Sequence, residues 1–156
     1  MGQVGQRISA SGERKTITVI RLQIVREGDF PYSTQKIRTS EDAAGIFRSY
    51  LAGADREYFV VLLLDAKHRI NELNVVAIGS LTCTLVHPRE VFKPAVIANA
   101  RAVILGHNHP SGDPTPSPED IKLTHRLVKA GELLGIAVLD HIIIGETGHI
   151  SLADRG

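Results

Sequence analysis

The chain has 156 residues, of which 43% are hydrophobic, and its 18 basic residues nearly balance 17 acidic ones. A chain of this length buries about two-thirds of its unfolded surface and needs no staples to hold a core. That charge balance gives no electrostatic footprint for nucleic acid. No apolar run approaches the length of a membrane span, and the polar N-terminus lacks the apolar stretch of a secretory signal. Cys83 is the single cysteine, which excludes an internal disulfide and a cysteine-based zinc knuckle, and fits a reducing cytoplasm.

Residues 1–14 are polar and rich in Gly and Ser, and read as a flexible tail preceding one domain over 15–156. Apolar residues recurring from Ile17 to Ile24 predict a strand over Thr16–Val25. Gly28 and Pro31 then mark a loop. Ser40, Glu41 and Asp42 open a predicted helix whose apolar face carries Ala43, Phe47, Tyr50 and Leu51, and Gly53 ends it. The run from Glu57 to Asp65, the polar turn to Arg69 and the stretch to Ile78 predict a hairpin. A further strand is expected over Leu81–Val86, with Cys83 as a small core residue. A helix from His87 to about Asn99 follows, kinked or split by Pro94.

Ala102–Gly106 is a buried strand candidate, and it runs into a loop holding four prolines from Pro110 to Pro118. Residues 118–135 form the clearest helix, with Leu123, Leu127, Ala130 and Leu134 on one side. Ile136–Ile144 is the last strong strand, and a turn at Gly145–Gly148 leads to a short return strand. Alternating strands and helices predict an α/β domain with helices packed on one mixed sheet.

The chemistry lies in His107-Asn108-His109, followed by Ser117 and Asp120. Strand side chains repeat every two residues, so both imidazoles leave the strand end on one side and can grip one cation. Asp120, in the first turn of the next helix, can be folded back by the proline-stiffened loop to add an oxygen. Two nitrogens and one oxygen leave a fourth tetrahedral position open, the pattern of a catalytic zinc site rather than a structural one. Hydrolysis at such a site also needs a proton acceptor and a donor for the oxyanion. Ser117 suits the donor, whereas the acceptor must come from elsewhere in the chain.

A plainer reading runs alongside. Ser117 at the N-cap, Pro118 at N1 and Asp120 at N3 also spell a capping box. Capping explains Ser117 as well as catalysis does, but it does not explain paired histidines upstream of Asp120. Asp140 and His141 suggest a hydrogen-bonded structural pair rather than a fourth ligand. His68, His87, His125 and His149 read as surface or packing residues, and loops around 26–36 and 66–74 are expected to line the substrate pocket.

The segment HNHPSGDPTPSPED resembles the zinc-binding segment of RadC proteins in the JAB/MPN (JAMM) metalloprotease superfamily, and the likeness extends through EYFVVLLLDAKHRI, HPREVFKPAVIANA and LDHIIIG, over roughly residues 35–153. The resemblance implies an α-β-α sandwich around a mixed β-sheet, with the cytidine-deaminase-like layering of JAB/MPN domains. It implies Zn2+ held by His107, His109 and Asp120, with Ser117 as the motif serine. Glu57, opening an apolar strand, takes the place of the superfamily's upstream acid/base, and Glu90 is a second candidate. The implied activity is hydrolysis of a peptide or isopeptide substrate. The alternative is a zinc-binding, DNA-repair-associated or protein-interaction module without hydrolysis. RadC proteins usually carry an N-terminal helix-hairpin-helix-like segment that this sequence does not display, so the DNA association is expected to transfer poorly. A nucleobase deaminase is set aside, because its P-C-x-x-C signature needs two cysteines.

Overall fold

The computed structural model describes residues 15–79 and 86–156. Within them the elements run α1 (Ser40–Tyr50), β1 (Tyr58–Leu64), β2 (Ile70–Ile78), α2 (Pro88–Ile97), β3 (Ala102–Asn108), α3 (Pro118–Leu134), β4 (Ala137–Ile144), β5 (His149–Ser151) and α4 (Leu152–Arg155). The strands form one sheet in the order β2-β1-β3-β4-β5. Strands β3 and β4 are parallel, joined by α3 as a crossover, and the other neighbours are antiparallel, so the sheet is mixed.

Central β1 and β3 are buried along nearly their whole length because helices cover both faces. On one face, Ala43, Ala44, Ile46 and Phe47 of α1 pack on Val60, Leu62, Ile104 and Ile142. On the other, Val91 and Phe92 of α2 and Leu123 and Leu127 of α3 pack on Phe59, Val61, Val103 and Leu105. The expected three-layer α/β/α architecture is therefore present. No helix among the described residues is long and apolar enough to cross a membrane.

Local chemistry sets the helix ends. Thr39, one residue before the expected start, caps α1 through a reciprocal box with Asp42. Ser117 and Asp120 form the same box on α3, and Gly135 in the left-handed region closes it. Helix α2 stays continuous through Pro94. The proline removes one backbone bond, and the burial of Val91, Phe92 and Ala95 holds both halves against the sheet.

The predicted strand over Thr16–Val25 does not form. Those residues have no regular secondary structure, and Ile17 and Val19 are each 92% exposed. Strands need a ladder partner, and among the described residues of this segment and the loop after it only Lys36 forms a bridge, to Arg69 just before the edge strand β2. Residues 1–14, the tail reading, and 80–85, which hold Cys83 and most of the predicted strand over Leu81–Val86, lie outside the described residues. Val86 itself sits buried in a turn.

Candidate metal centre

Strand β3 delivers the histidines at the end of the sheet where β1 begins. Phe59 pairs with His107 in the antiparallel ladder, and its ring stacks on the imidazole at 6.0 Å between centroids. Gly106 precedes His107 because the ring of Phe47 lies against its backbone, where an added Cβ would fall 2.7 Å from three ring carbons. Past the strand end, the His109 N–H donates to Ile144 O at 2.9 Å, so the backbone leaves β3 still pinned to β4. Asn108, between the histidines, points the other way. Its amide donates to Arg56 O at 3.0 Å and its carbonyl accepts the Tyr58 N–H at 2.8 Å, clamping the entry of β1.

The loop between β3 and α3 is bolted down as well. Glu146 N donates to Gly112 O at 2.8 Å, and a Cβ at Gly145 would meet that same oxygen at 2.4 Å. This seating brings Asp120 back to the histidines. His107 Nε2 stands 2.9 Å from His109 Nε2 and 3.5 Å from Asp120 Oδ1, and His109 Nε2 stands 3.3 Å from Asp120 Oδ2. These three residues form a group whose ligand atoms all lie within 4.8 Å of one another. A tetrahedral zinc with bonds of about 2.0–2.1 Å separates its ligand atoms by roughly 3.3 Å. The observed spacings bracket that value.

Proton counting sharpens the fit. His109 Nδ1 lies 2.8 Å from Asp113 O, and a carbonyl only accepts, so the proton is on Nδ1 and Nε2 of the neutral ring is bare. His107 Nδ1 lies 2.7 Å from His141 Nε2, and His141 Nδ1 lies 2.6 Å from Thr124 Oγ1. The Thr124 hydroxyl donates to Asp120 O at 2.6 Å. Its one proton being spent there, Thr124 must accept from His141 Nδ1–H. A neutral His141 then accepts from His107 Nδ1–H, leaving His107 Nε2 bare too. Burial, reinforced by the neighbouring His107, holds the His141 pKa well below the ordinary imidazole value, so the neutral form prevails.

Two bare lone pairs thus face each other beside a carboxylate, an arrangement that a cation relieves. Burial opposes ionisation of Asp120, the hydrogen bond from the Ser117 N–H favours it, and the carboxyl is held below its usual range. The group can hold a divalent metal.

The remaining expected residues fall into place unevenly. Ser117 Oγ accepts the Asp120 N–H at 3.1 Å, so its capping role is present. Glu57 lies outside the three-residue group, half-buried in the segment that Asn108 clamps, and its carbonyl accepts the Gly79 N–H at 2.8 Å. It immediately precedes β1, whose Phe59 pairs with His107. Glu90 is instead on α2, paired with Lys93 at 3.2 Å and beside Asn74–Val76 of the edge strand.

Loops 26–36 and 66–74 do not line the centre. Leu64 pairs with Ala102 and with Ile70, which puts the turn of residues 65–69 at the opposite end of the sheet, about 17 Å from His107 by strand rise. Residues 30–34 instead flank α1, on the other face. Segments 52–57, 109–117 and 145–148 adjoin the strand ends on the histidine side of the sheet. The Asp140–His141 pair is only half as expected. Asp140 is structural, accepting the His141 N–H at 2.7 Å and the Ser151 hydroxyl at 2.6 Å, while the ring of His141 turns to His107.

Comparison with known proteins converges on the same segment. Residues 37–156 match a family model described as RadC-like JAB domain. A UPF0758 protein of Desulforamulus reducens is 52% identical over 120 residues, covering 77% of this chain and 53% of that protein. One from Rubrobacter xylanophilus is 41% identical over 158 residues, covering 97% of this chain and 67% of its own length. Another, from Pelobacter propionicus, is 58% identical over 110 residues, 70% of this chain and 48% of the relative. The chain therefore spans about half to two-thirds of the length of these curated relatives.

Proposed function

The chain belongs to the RadC-like JAB domain family, and on that basis we propose that it is a zinc-dependent hydrolase of peptide or isopeptide bonds. One observation carries the reading. Two imidazole nitrogens, each stripped of its proton by a hydrogen bond on the far side of its ring, face each other at 2.9 Å beside an ionised carboxylate. Two nitrogens and one oxygen are a borderline-soft donor set that suits zinc, and three protein ligands match a catalytic rather than a structural site.

When bound, zinc supplies Lewis acidity, which polarises a carbonyl and brings the pKa of water to about 7. The protein's own groups do the rest. Glu57, just before β1 at the histidine end of the sheet, takes a proton from the attacking water and returns it to the leaving amine. Ser117 uses an oxygen lone pair in the cap, so its hydroxyl proton stays available for the oxyanion. Phe59 walls the inner side and keeps solvent from the buried edge of His107.

The test pairs metal analysis with cleavage of a peptide and isopeptide library by wild type and Glu57→Gln. The expected result is about one zinc per chain in both proteins, with cleavage by wild type alone. Zinc without cleavage by wild type would replace the hydrolase with a zinc-bearing interaction module, and a folded protein that takes up no zinc would remove the reading altogether.

A further inference from the structure

The fully buried imidazole of His141 is not needed as a ligand, yet it touches one. We propose that His141 and Thr124 are positioning residues, which lock His107 into the tautomer that presents a bare Nε2 and tie it to the backbone of Asp120. The inference rests on the metal-centre reading of His107, His109 and Asp120.

The chain of contacts runs in one direction. His107 Nδ1 donates to His141 Nε2 at 2.7 Å, His141 Nδ1 donates to Thr124 Oγ1 at 2.6 Å, and Thr124 donates to Asp120 O at 2.6 Å. Each group has one proton to give, and the last acceptor is a carbonyl that has none. No link can be reversed while the last stays intact. The relay begins and ends on residues of the metal group, so a strand neighbour and a helix side chain together close a ring around it. Parallel pairing of β3 with β4 sets His141 beside Leu105, on the α3 face. The helical turn sets Thr124 four residues after Asp120, where a threonine hydroxyl reaches the preceding turn's carbonyl.

Phe59 seals this ring from the side, meeting the His141 ring edge-on at 5.4 Å and stacking on His107. With His107 and His141 each 1% exposed, water is poorly placed to replace a missing partner. Imidazole ligands ordinarily need a hydrogen bond at the far nitrogen, and its loss typically costs 10–100-fold in metal affinity.

Thr124→Val tests the assignment, because it puts a methyl group where the hydroxyl was. His141 Nδ1–H then has no acceptor, so the ring takes the Nε2–H form and donates to His107 Nδ1. That moves the His107 proton onto the nitrogen facing the metal. In metal-free protein, ¹⁵N chemical shifts of the ring nitrogens read this directly. The expected result is Nδ1–H on His107 in wild type and Thr124→Ser, and Nε2–H in Thr124→Val. Chelator competition should then show zinc affinity down about 10–100-fold in Thr124→Val, and within a few-fold of wild type in Thr124→Ser and His141→Gln.

Nε2–H on His107 in the wild type overturns the proposal, and so does wild-type zinc affinity in Thr124→Val. If Thr124→Val does not fold, the wild-type shifts alone decide. A protein that shows the predicted tautomer but takes up no zinc contradicts the metal centre and leaves the relay standing, so the two failures are separable.

Discussion

Asp120 has two jobs, and a pair of substitutions separates them. Its Oδ2 accepts the Ser117 N–H at 2.8 Å to complete the cap of α3, and both its oxygens face the histidines. Asp120→Asn keeps an acceptor for the cap and removes the anion, whereas Asp120→Ala removes both. Without metal, Asp120→Asn should melt below wild type only by what the ionised carboxylate contributes, and Asp120→Ala should lose a further ~1 kcal/mol, the usual worth of a cap. Zinc at a hundred times its Kd stabilises a folded wild type by about 2.7 kcal/mol. In a domain of this size each kcal/mol moves Tm by about 2–4 °C, so the shift should be about 5–11 °C. Thermal denaturation with chelator and with zinc makes the comparison. Both variants should lose most of the zinc shift. If zinc raised the Tm of Asp120→Asn as far as that of wild type, Asp120 would be a cap and nothing more.

Three other outcomes follow from the geometry. Gly106→Ala should cost about 1–3 kcal/mol in urea denaturation, since its methyl group would press on the ring of the fully buried Phe47, and Phe47→Leu should recover part of that loss. Asn108→Ala leaves the Tyr58 N–H and Arg56 O without their partners at a largely buried position, and should destabilise by about 1–3 kcal/mol while weakening zinc binding less than His109→Ala does. Asp120 has a folded pKa below the ordinary carboxylate value, so its stabilising contribution is full above that ordinary value and is lost as pH falls through the folded one. Urea midpoints of metal-free wild type and Asp120→Asn should therefore differ by a constant amount at pH 7 and 5 and by a smaller amount at pH 3.

What could be read from the residues alone follows the range of the forces involved. The apolar runs of β1 and β3 and the 3.6-residue stripe of α3 are local patterns, and the elements stand where those patterns place them. The H-x-H alternation likewise carries its own geometry, because a strand end must send both side chains the same way. Thr16–Val25 shows the limit. Its alternation describes which side chains would share a face but not whether a sheet edge is free to pair with them. The mistaken pocket loops have a similar origin, since which end of β1 carries the histidines depends on its antiparallel pairing with β3, a relation between residues far apart in the chain. His141 and Thr124 were out of reach for the same reason. Asp140-His141 before an apolar strand was a visible signal, but its meaning required the register of β4 on β3 and the seat of α3 above both.

X-ray absorption at the zinc K-edge of the loaded protein addresses the central claim most directly. The account predicts a nitrogen and oxygen shell at about 2.0–2.1 Å with outer scattering from two imidazoles, reduced to one imidazole in His109→Ala. A spectrum with no imidazole scattering, or one unchanged by His109→Ala, would contradict it.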